Sequence, residues 1–273
     1  MGESHVIART GQEPITVPSL VKDLVRLGVQ PGMTLIVHSA ISRLGWVCGG
    51  PPAVVLALQE VLGSSGTLVM PTHSNHLSDP KRWQNPPVPE NWWQTIRETM
   101  PAYQPDITPT REMGTIVDCF RSQRGVRRGS HPHYSFAAWG AHAEVVAVPN
   151  QPLPFGLGDD STLGRMYDLA GWVLLVGVGH DSNTSLHLSE YRVDYPTKET
   201  KLVGAPVLVA GQQQWVEFED INWDSDDFPF LGDDFAAETN LVRMGRVGQA
   251  AAMLMPQRPL IDFGMTWLPR HRK

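Results

Sequence analysis

Two histidines and two acidic residues lie close together in the segment Val173 to Arg192, which reads VLLVGVGHDSNTSLHLSEYR. The histidines are His180 and His187, and the acidic residues are Asp181 and Glu190. A neutral imidazole accepts a proton near pH 7, so histidine is the usual general base in enzymes. One interpretation of His187 is therefore a general base. Spacing alone leaves a second interpretation open, a structural histidine packed on a helix face.

The same segment predicts how these side chains are held. The apolar run from Val173 to Val176 is ended by glycines and predicts a buried strand. The leucines that follow fit a helix better than a strand, with Asn183 or the residue after it as N-cap. Asp181 and Asn183 can hold the intervening turn through bonds from side chain to backbone. We expect the strand to deliver His187 to the mouth of a cleft, with His180 as a loop residue.

Composition narrows the class of protein. A chain of 273 residues with 41% hydrophobic and 18% charged residues can bury a full core, as one α/β domain or one domain with an inserted lobe. The formal net charge of −6 argues against nucleic acid as a partner and permits a cationic ligand. No apolar run is long enough to span a bilayer, and the first ten residues lack the apolar core of a signal peptide. We expect a cytoplasmic protein with no membrane partner.

Cysteine and histidine spacing predicts no metal site. Cys48 and Cys119 form neither a disulfide framework nor a zinc pattern, and are expected to be buried or partly buried free thiols. The ten histidines include no HExxH motif.

Strand, loop, helix and strand follow one another near the start of the chain. An amphipathic helix from Leu20 to Leu27, which we expect Ser19 to cap, precedes the apolar run TLIVHSAI. A glycine-bearing loop leads to a helix that opens at Pro51, and a second apolar run extends from Thr67 to Thr72. A βαβ unit of this kind implies a parallel sheet.

Polar residues follow the first strand of this unit. Ligands in such sheets lie beyond the carboxyl ends of the strands, where loop N–H groups can bind anions. Ser39, Ser42, Gly49 and Gly50 stand at such an end. They fit a site for a phosphate-bearing cofactor or an ordinary βα loop, because neither GxGxxG nor GxxxxGK[ST] is present.

Two further segments differ in composition from the rest of the chain. Residues 73–110 are rich in proline and tryptophan, and predict a partly helical excursion that covers a site or forms a second lobe. An arginine cluster between Arg121 and Arg128 fits either a phosphate contact or a solvated helix C-terminus.

The last third of the chain carries an acidic segment. Val203–Val209 and Trp215–Phe218 predict a hairpin, and the chain from Glu217 to Glu238 then contains no lysine or arginine. Interleaved aromatic residues indicate that these carboxylates are held on a fold, either as a solvated face or near a cleft that binds a polycation. We expect residues 235–267 to form helices that pack on the sheet.

Six segments, in order, resemble the aminoglycoside 3-N-acetyltransferase family. They read LIVHSAIS with Leu44, Gly49 and Gly50 after it, GTLVMPT, REMGTIVDCFR, SHPHYSFAAWG, LLVGVGHDSNTSLHLSEYR and VEFEDINWD. The resemblance covers roughly residues 19–268 and implies an α/β fold distinct from the GNAT acetyltransferases. We expect a single domain over residues 1–273, with a central, largely parallel sheet and helices on both faces. Residues 73–110 would be a variable inserted lobe or lid, before a C-terminal region of β-hairpin and helices.

The resemblance also implies the chemistry, which is acetyl transfer from acetyl-CoA to the 3-amino group of the deoxystreptamine ring of an aminoglycoside. In the family the histidine of the LHxxE segment is the general base, which here is His187. A downstream carboxylate orients it, and the motif places that role on Glu219, with Asp220 and Glu217 as the other candidates.

The family's motifs also assign binding residues. The coenzyme is expected to contact His38, Ser39, Ser42, Gly114, Thr115 and Ser135. The aminoglycoside is expected to contact Asp181, Asn183, Glu190 and Asp220. Ala40 departs from the family, which often has a second serine there, and so removes one hydroxyl contact to the coenzyme. The coenzyme is a co-substrate, and no metal is expected.

Physical chemistry favours direct transfer. An amine attacks a thioester only as its free base, and holding amine and thioester together supplies much of the rate, so no covalent acyl-enzyme is required. Two other functions stay open: an acetyltransferase of this fold that acts on another amine, and a non-catalytic module that binds cationic sugars.

Overall fold

The structure is a computed structural model that describes residues 3–273. Its helices and strands run in the following order: α1 (Glu3–Thr10), α2 (Val17–Leu27), β1 (Thr34–Ser39), α3 (Pro51–Leu62), β2 (Thr67–Pro71), α4 (Trp93–Thr99), α5 (Thr115–Arg121), β3 (Arg127–Arg128), β4 (Phe136–Gly140), α6 (Ala143–Val146), α7 (Thr162–Asp168), β5 (Trp172–Val176), α8 (His187–Arg192), β6 (Thr200–Val209), β7 (Gln212–Ile221), α9 (Phe228–Thr239), β8 (Arg243–Val247), β9 (Ala250–Pro256) and α10 (Gln257–His271). No helix in this part of the chain is long and apolar enough to cross a membrane.

Seven strands form one sheet in the order β3-β4-β2-β1-β5-β9-β8. The predicted βαβ unit is confirmed, since β1 pairs in parallel with β2 through the α3 crossover and with β5 on its other side. The remaining strands join antiparallel at both edges. The parallel part therefore lies at the centre, where β1, β2 and β5 end together and the loops after them can form one site.

Helices cover both faces of the sheet, as expected. Alternate side chains of β1 point to opposite faces, so Leu35 and Val37 contact α2, α3 and α5 while Ile36 lies in the core built by α7, α8, α9 and α10. Thr16, not Ser19, is the N-cap of α2; Ser19 is the third helical residue of the same capping box. The α/β class is confirmed.

Two elements differ from the prediction. The hairpin is longer, because β6 and β7 pair over ten residues each and form a separate two-stranded sheet. The segment expected to be helical contains β8 and β9, and only α9 and α10 on either side of them are helices. The run AAAMLMP of β9 suits a helix by composition, but pairing with β5 and burial of Leu254 and Met255 give a strand.

The inserted segment, residues 73–110, contains α4 and several 3₁₀ turns. Arg128 ties its two ends to the sheet. Its guanidinium donates to the carbonyls of Pro105 and Thr108, and to the carbonyl of Thr72 and the hydroxyl of Ser74. Neither interpretation of the arginine cluster describes Arg128. Its hydrogen bonds instead hold both ends of residues 73–110 against the sheet, and these contacts are called the Arg128 clamp below.

Candidate active site

A cavity of about 760 Å³ opens at the carboxyl ends of β1, β2 and β5. The loop after β1 contributes Ser39 and Ser42, the end of β2 contributes His73, and the turn after β5 contributes Asp181. The N-terminus of α8 completes the wall with His187. The central parallel strands thus bring residues from distant parts of the sequence to one place.

His187 is the first residue of α8, and its side chain is almost buried in the cavity wall. Its ring lies against Trp223 and Phe228, with centroids 4.6 and 4.9 Å away. Its Nδ1 atom is 2.5 Å from Oε2 of Glu190, one helical turn further along. The aromatic contacts fix the ring in place, and the hydrogen bond fixes its orientation.

Glu190 is fully buried, and both of its oxygens are bonded. Its Oε1 accepts from the backbone N–H of Asp224 at 3.0 Å and from the Nη1 atom of Arg272. Burial opposes ionisation, but the bonds and charge from His187, Asp224 and Arg272 outweigh it and hold the pKa of Glu190 below its ordinary value. An ionised carboxylate only accepts hydrogen bonds, so Nδ1 of His187 carries the proton and Nε2 is the basic nitrogen.

The predicted contact between Glu219 and His187 is wrong, since Glu190 is the carboxylate bonded to this ring. Side chains alternate along β7, and Glu217 and Glu219 are exposed whereas Asp220 is buried. Asp220 accepts from the hydroxyl of Tyr191 at 2.6 Å and from the backbone N–H of Ile221. Burial raises the pKa of Asp220, and burial together with the charge of Asp220 raises the pKa of Tyr191.

Five of the six residues expected to contact the coenzyme line the cavity. They are His38, Ser39, Ser42, Gly114 and Thr115. The sixth, Ser135, lies behind the wall, where its hydroxyl donates to the carbonyl of Thr72 at 2.8 Å and accepts from Nε of Arg128 at 3.1 Å. Ser135 is 1% exposed and belongs to the Arg128 clamp, so its expected contact with the coenzyme is wrong.

Two further histidines of the cavity are held neutral. Burial, reinforced by nearby imidazoles, lowers the pKa of His38 and of His73 to about 3. Among the described residues, Nε2 of His38 and Nδ1 of His73 have no hydrogen-bond partner. A buried polar atom of this kind is usually satisfied by a ligand or by water. Motif reasoning identified His38 and missed His73, although His73 directly follows a predicted strand.

Of the four residues expected to contact the substrate, Asp181 lines the cavity. Asn183 is buried and its Nδ2 is 3.2 Å from Nδ1 of His180, whose ring packs on Gly232. Glu190 and Asp220 are buried behind the wall, as described above. Asn183, Glu190 and Asp220 therefore do not line the cavity, and the structure does not support direct contact of their side chains with a substrate.

Sequence reasoning missed two residues of the acidic segment that reach the cavity, Trp223 and Ser225. Glu112 is a third addition, from the loop before α5. Trp223 could have been identified from the sequence, because a tryptophan within a run of carboxylates is usually at least partly buried and does not serve solubility.

A second cavity, of about 870 Å³, adjoins the first through Asn75, Glu112 and Met113, which line both. Its other walls come largely from the inserted segment, including Trp83 and Met100. Whether residues 73–110 act as a lid stays a prediction. Over residues 3–273, no group of three or more histidine, cysteine, aspartate or glutamate side chains is placed to hold a metal ion. Neither cysteine forms a disulfide; Cys119 is partly buried as expected, whereas Cys48 is exposed, so its expected burial is wrong.

Comparison with known proteins identifies the family of this chain. The model of the aminoglycoside 3-N-acetyltransferase family matches residues 36–269. The SPbeta prophage-derived aminoglycoside N(3')-acetyltransferase-like protein YokD of Bacillus subtilis (strain 168) is 46% identical over 255 residues, which are 93% of this chain and 92% of that protein. The crystal structure of YokD matches with a TM-score of 0.94 and 43% identity over 98% of both chains.

Two solved structures of similar proteins contain ligands. AAC-IIIb in a binary complex with CoASH matches with a TM-score of 0.85 and 28% identity, over 95% of this chain and 98% of that one. AAC-VIa bound to sisomicin matches with a TM-score of 0.84 and 28% identity, over 95% and 99%. By its sequence and its fold, the chain belongs to the aminoglycoside 3-N-acetyltransferase family.

Proposed function

We propose that this protein transfers the acetyl group of acetyl-CoA to the 3-amino group of the deoxystreptamine ring of aminoglycoside antibiotics and so inactivates them. The observation that carries the proposal is the hydrogen bond of 2.5 Å between His187 and Glu190 in the wall of the cavity. The family and the ligands of the two similar structures support the choice of coenzyme and substrate.

In this proposal His187 is the general base. Its Nε2 atom takes the proton from the amine as the nitrogen attacks the thioester carbon. Glu190 holds Nδ1–H, keeps the required tautomer and stabilises the imidazolium that forms. The acetyl group passes directly to the amine within one complex of the protein with both substrates. The carbon–sulfur bond breaks, and the leaving thiolate of the coenzyme takes the proton from the His187 imidazolium, which restores the neutral base.

The uncharged side of the cavity suits the arm of acetyl-CoA that carries the thioester. Ser39, Ser42 and Thr115 offer hydroxyl groups there, and His38 offers a neutral imidazole. A hydroxyl or N–H from this set would donate to the thioester oxygen as it gains negative charge. No charged side chain of the set must be desolvated when the uncharged arm enters, which favours binding there.

The acidic side suits an amine-rich sugar. Asp181 and Glu112 line the cavity, and the acidic segment lies next to it through Trp223 and Ser225. Carboxylates at this wall attract a polycation and raise its local concentration.

The experiment is acetyl-CoA-dependent thiol release measured across a panel of aminoglycosides, with an amine-free control and the acetylated position identified by NMR. His187→Ala is expected to lower turnover by about two to four orders of magnitude while coenzyme binding, measured by calorimetry, is retained. His142→Ala is the matched control, because His142 is exposed and lies beside Thr67, at the opposite end of the strands.

Three outcomes would contradict parts of the proposal. Near-normal turnover of the His187 variant would exclude it as the base. Turnover only with amines that are not 3-amino aminoglycosides would replace the substrate. Binding of the drug without thiol release from the wild type would leave a non-catalytic sugar-binding module.

A further inference from the structure

The guanidinium of Arg272 lies between two carboxylates behind the general base. Its Nη1 donates to Oε1 of Glu190, while Nε and Nη2 donate to the two oxygens of Asp227 at 2.8 and 2.6 Å. Nη2 also donates to the carbonyl of Asp224 at 2.6 Å, and Nη1 lies 3.2 Å from the hydroxyl of Tyr195. The Arg272 side chain is only 9% exposed, and it lies in the wall of a separate cavity of about 430 Å³.

We propose that Arg272 is a positioning residue for the acetyl transfer: it keeps Glu190 ionised and fixed behind His187, and thereby sets which nitrogen of His187 is basic. The inference rests on the proposed function and adds to it a residue that does not touch either substrate.

Charge is the first step of the argument. Glu190 has no exposed surface, and a carboxylate buried without a compensating cation becomes neutral. A neutral Glu190 could donate its proton to Nδ1 of His187, which would place the ring proton on Nε2 and remove the base. With Arg272 on its other oxygen, Glu190 is a carboxylate that can only accept, and Nε2 stays basic.

Geometry is the second step. The planar guanidinium bonds Glu190 and Asp227 together, in a way that the single ammonium group of lysine cannot reproduce. Asp224 closes the arrangement, because its N–H donates to Glu190 and its carbonyl accepts from Arg272. The Phe228 ring contacts both the His187 ring and the Arg272 guanidinium. Arg272 thus joins the end of α10, the acidic segment and α8 at one point.

Other titratable groups also face Glu190 and Arg272, and they are unchanged in the Arg272 and Arg270 variants. At the strand ends, His38 and His73 face His187, and both are neutral because burial lowers their pKa to about 3. Asp220 of β7 lies near His187, and burial and the charge of Asp220 together raise the pKa of Tyr191. Tyr191, Tyr195 and Asp227 complete the set around Glu190 and Arg272. Burial raises the pKa of both tyrosines, so they are neutral at the pH of the assay.

The test compares Arg272→Gln and Arg272→Lys with Arg270→Gln, a change at an exposed arginine at the end of the same helix. Turnover and KM for both substrates are measured from pH 5.5 to 9.5. Arg272→Gln is expected to lower kcat at pH 7 by about 10- to 100-fold, the range seen for partners that orient another functional group. The KM for acetyl-CoA should stay within about 2-fold, because Arg272 does not line the cavity.

The pH profile separates positioning from simple structural damage. Without the cation, Glu190 ionises only at higher pH, so the acid limb of kcat should move up by about one pH unit or more and activity should partly recover near pH 9. Arg272→Lys keeps the charge and should keep the limb within about half a unit while kcat falls less. Arg270→Gln should match the wild type.

A wild-type pH profile in an active Arg272→Gln variant would overturn the inference. If that variant does not fold, Asp227→Asn replaces it, because this change removes an acceptor of Arg272 and leaves Glu190 intact. Because Asp227 is an anion, its loss leaves more of the Arg272 charge to Glu190 and should lower the acid limb, while the less firmly held guanidinium should lower kcat by about 3- to 10-fold. A wild-type profile there would equally overturn the inference. If the wild type transfers no acetyl group, the proposed function fails; if it does and these variants are normal, only the role of Arg272 fails.

Discussion

His187 and Glu190 lie one turn apart on α8 and so meet without help from a distant element. A short helix can therefore supply both a base and its orienting carboxylate. Distant residues are needed for a different purpose, to keep the carboxylate ionised once it is buried.

Substitution can show directly whether Glu190 or Glu219 orients His187. Glu190→Gln should lower kcat by about 100- to 1,000-fold, because an amide cannot stabilise the imidazolium and favours the wrong tautomer. Glu219→Gln is the matched control, since Glu219 is exposed on β7, and its kcat should stay within about 2-fold of the wild type. Steady-state kinetics at saturating acetyl-CoA and drug measures both. A larger loss in the Glu219 variant would restore the assignment made from the motif.

The sequence could predict His187, Ser39 and Ser42 because each follows a recognisable apolar strand. It assigned the orienting carboxylate to Glu219 and did not consider Glu190 for this role, since the choice requires knowing which side chains of β7 face inward. That is fixed by pairing with β6, where Asp220 stands opposite Lys201 and Glu219 opposite Leu202. Long-range register of this kind leaves little trace in local spacing.

At the scale of elements, one arginine joins both ends of the inserted segment to the sheet. Arg128 of β3 holds the start of the segment through Thr72 and Ser74, and its end through Pro105 and Thr108. Burial lowers the pKa of Arg128 from its usual value, and cation-π contact with Tyr103 adds to its packing. Since this segment walls the second cavity, the clamp also shapes the region beside the active site.

Arg128→Ala should lower the free energy of unfolding by about 2–4 kcal/mol, because several buried acceptors lose a charged donor at once. The segment itself should open first, so limited proteolysis should cut within residues 73–110. Arg127→Ala, a change at an exposed neighbour on the same strand, is the control and should be within about 0.5 kcal/mol of the wild type. Equal stability of both variants in urea would show that the segment does not depend on the clamp.

Elements were predictable where local pattern and burial agree. The strands β1, β2 and β5 are apolar runs bounded by glycine or proline, and all three were predicted. The strands β8 and β9 were missed, because exposed Arg243, Met244 and Arg246 and the alanines of β9 carry no alternating pattern. Their structure comes from pairing at the edge of a sheet that already exists.

At the scale of the whole molecule, four buried histidines link stability to pH. Burial is the main reason that the pKa is lowered to about 3 in His38, His73 and His131 and to about 4 in His133. In the unfolded chain these groups titrate near 6.5. Between about pH 6.5 and pH 4 the unfolded state therefore binds more protons than the folded state, and stability falls as pH falls.

The free energy of unfolding should be nearly constant above pH 7 and decline below pH 6.5, by up to about 1.4 kcal/mol per pH unit for each histidine. Urea unfolding at pH 7, 6 and 5 measures it. His131→Asn should give a shallower decline, because the amide oxygen can replace Nδ1 as acceptor for the N–H groups of His133 and Tyr134 without titrating. The exposed His142→Asn should leave the slope unchanged. An unaltered slope in the His131 variant would contradict the linkage.

Charge acts over the whole surface as well. The net charge of −6 is not spread evenly, and the structure divides the acidic segment into two kinds of carboxylate. Asp220 and Asp227 are committed to Tyr191 and Arg272, whereas Glu219, Asp224 and Asp226 are exposed. Only exposed and unpaired charges can attract a polycation at long range.

Asp226→Asn should therefore weaken binding of an aminoglycoside by about 3- to 10-fold at roughly 20 mM salt and by less than about 2-fold at roughly 500 mM, where charges more than a few ångströms apart are screened. Asp226 follows Ser225, which lines the active-site cavity, and itself lines a separate cavity beside Asp224 and Asp227, so its charge lies near the site without touching it. Glu144→Gln is the control, because Glu144 is equally exposed but lies on α6, beside the opposite end of the strands, and should not change the affinity. Calorimetric titration at the two salt concentrations gives the dissociation constants. A loss of affinity that is the same at both concentrations would mean that the substitution damages the fold around Trp223 and that long-range attraction contributes little.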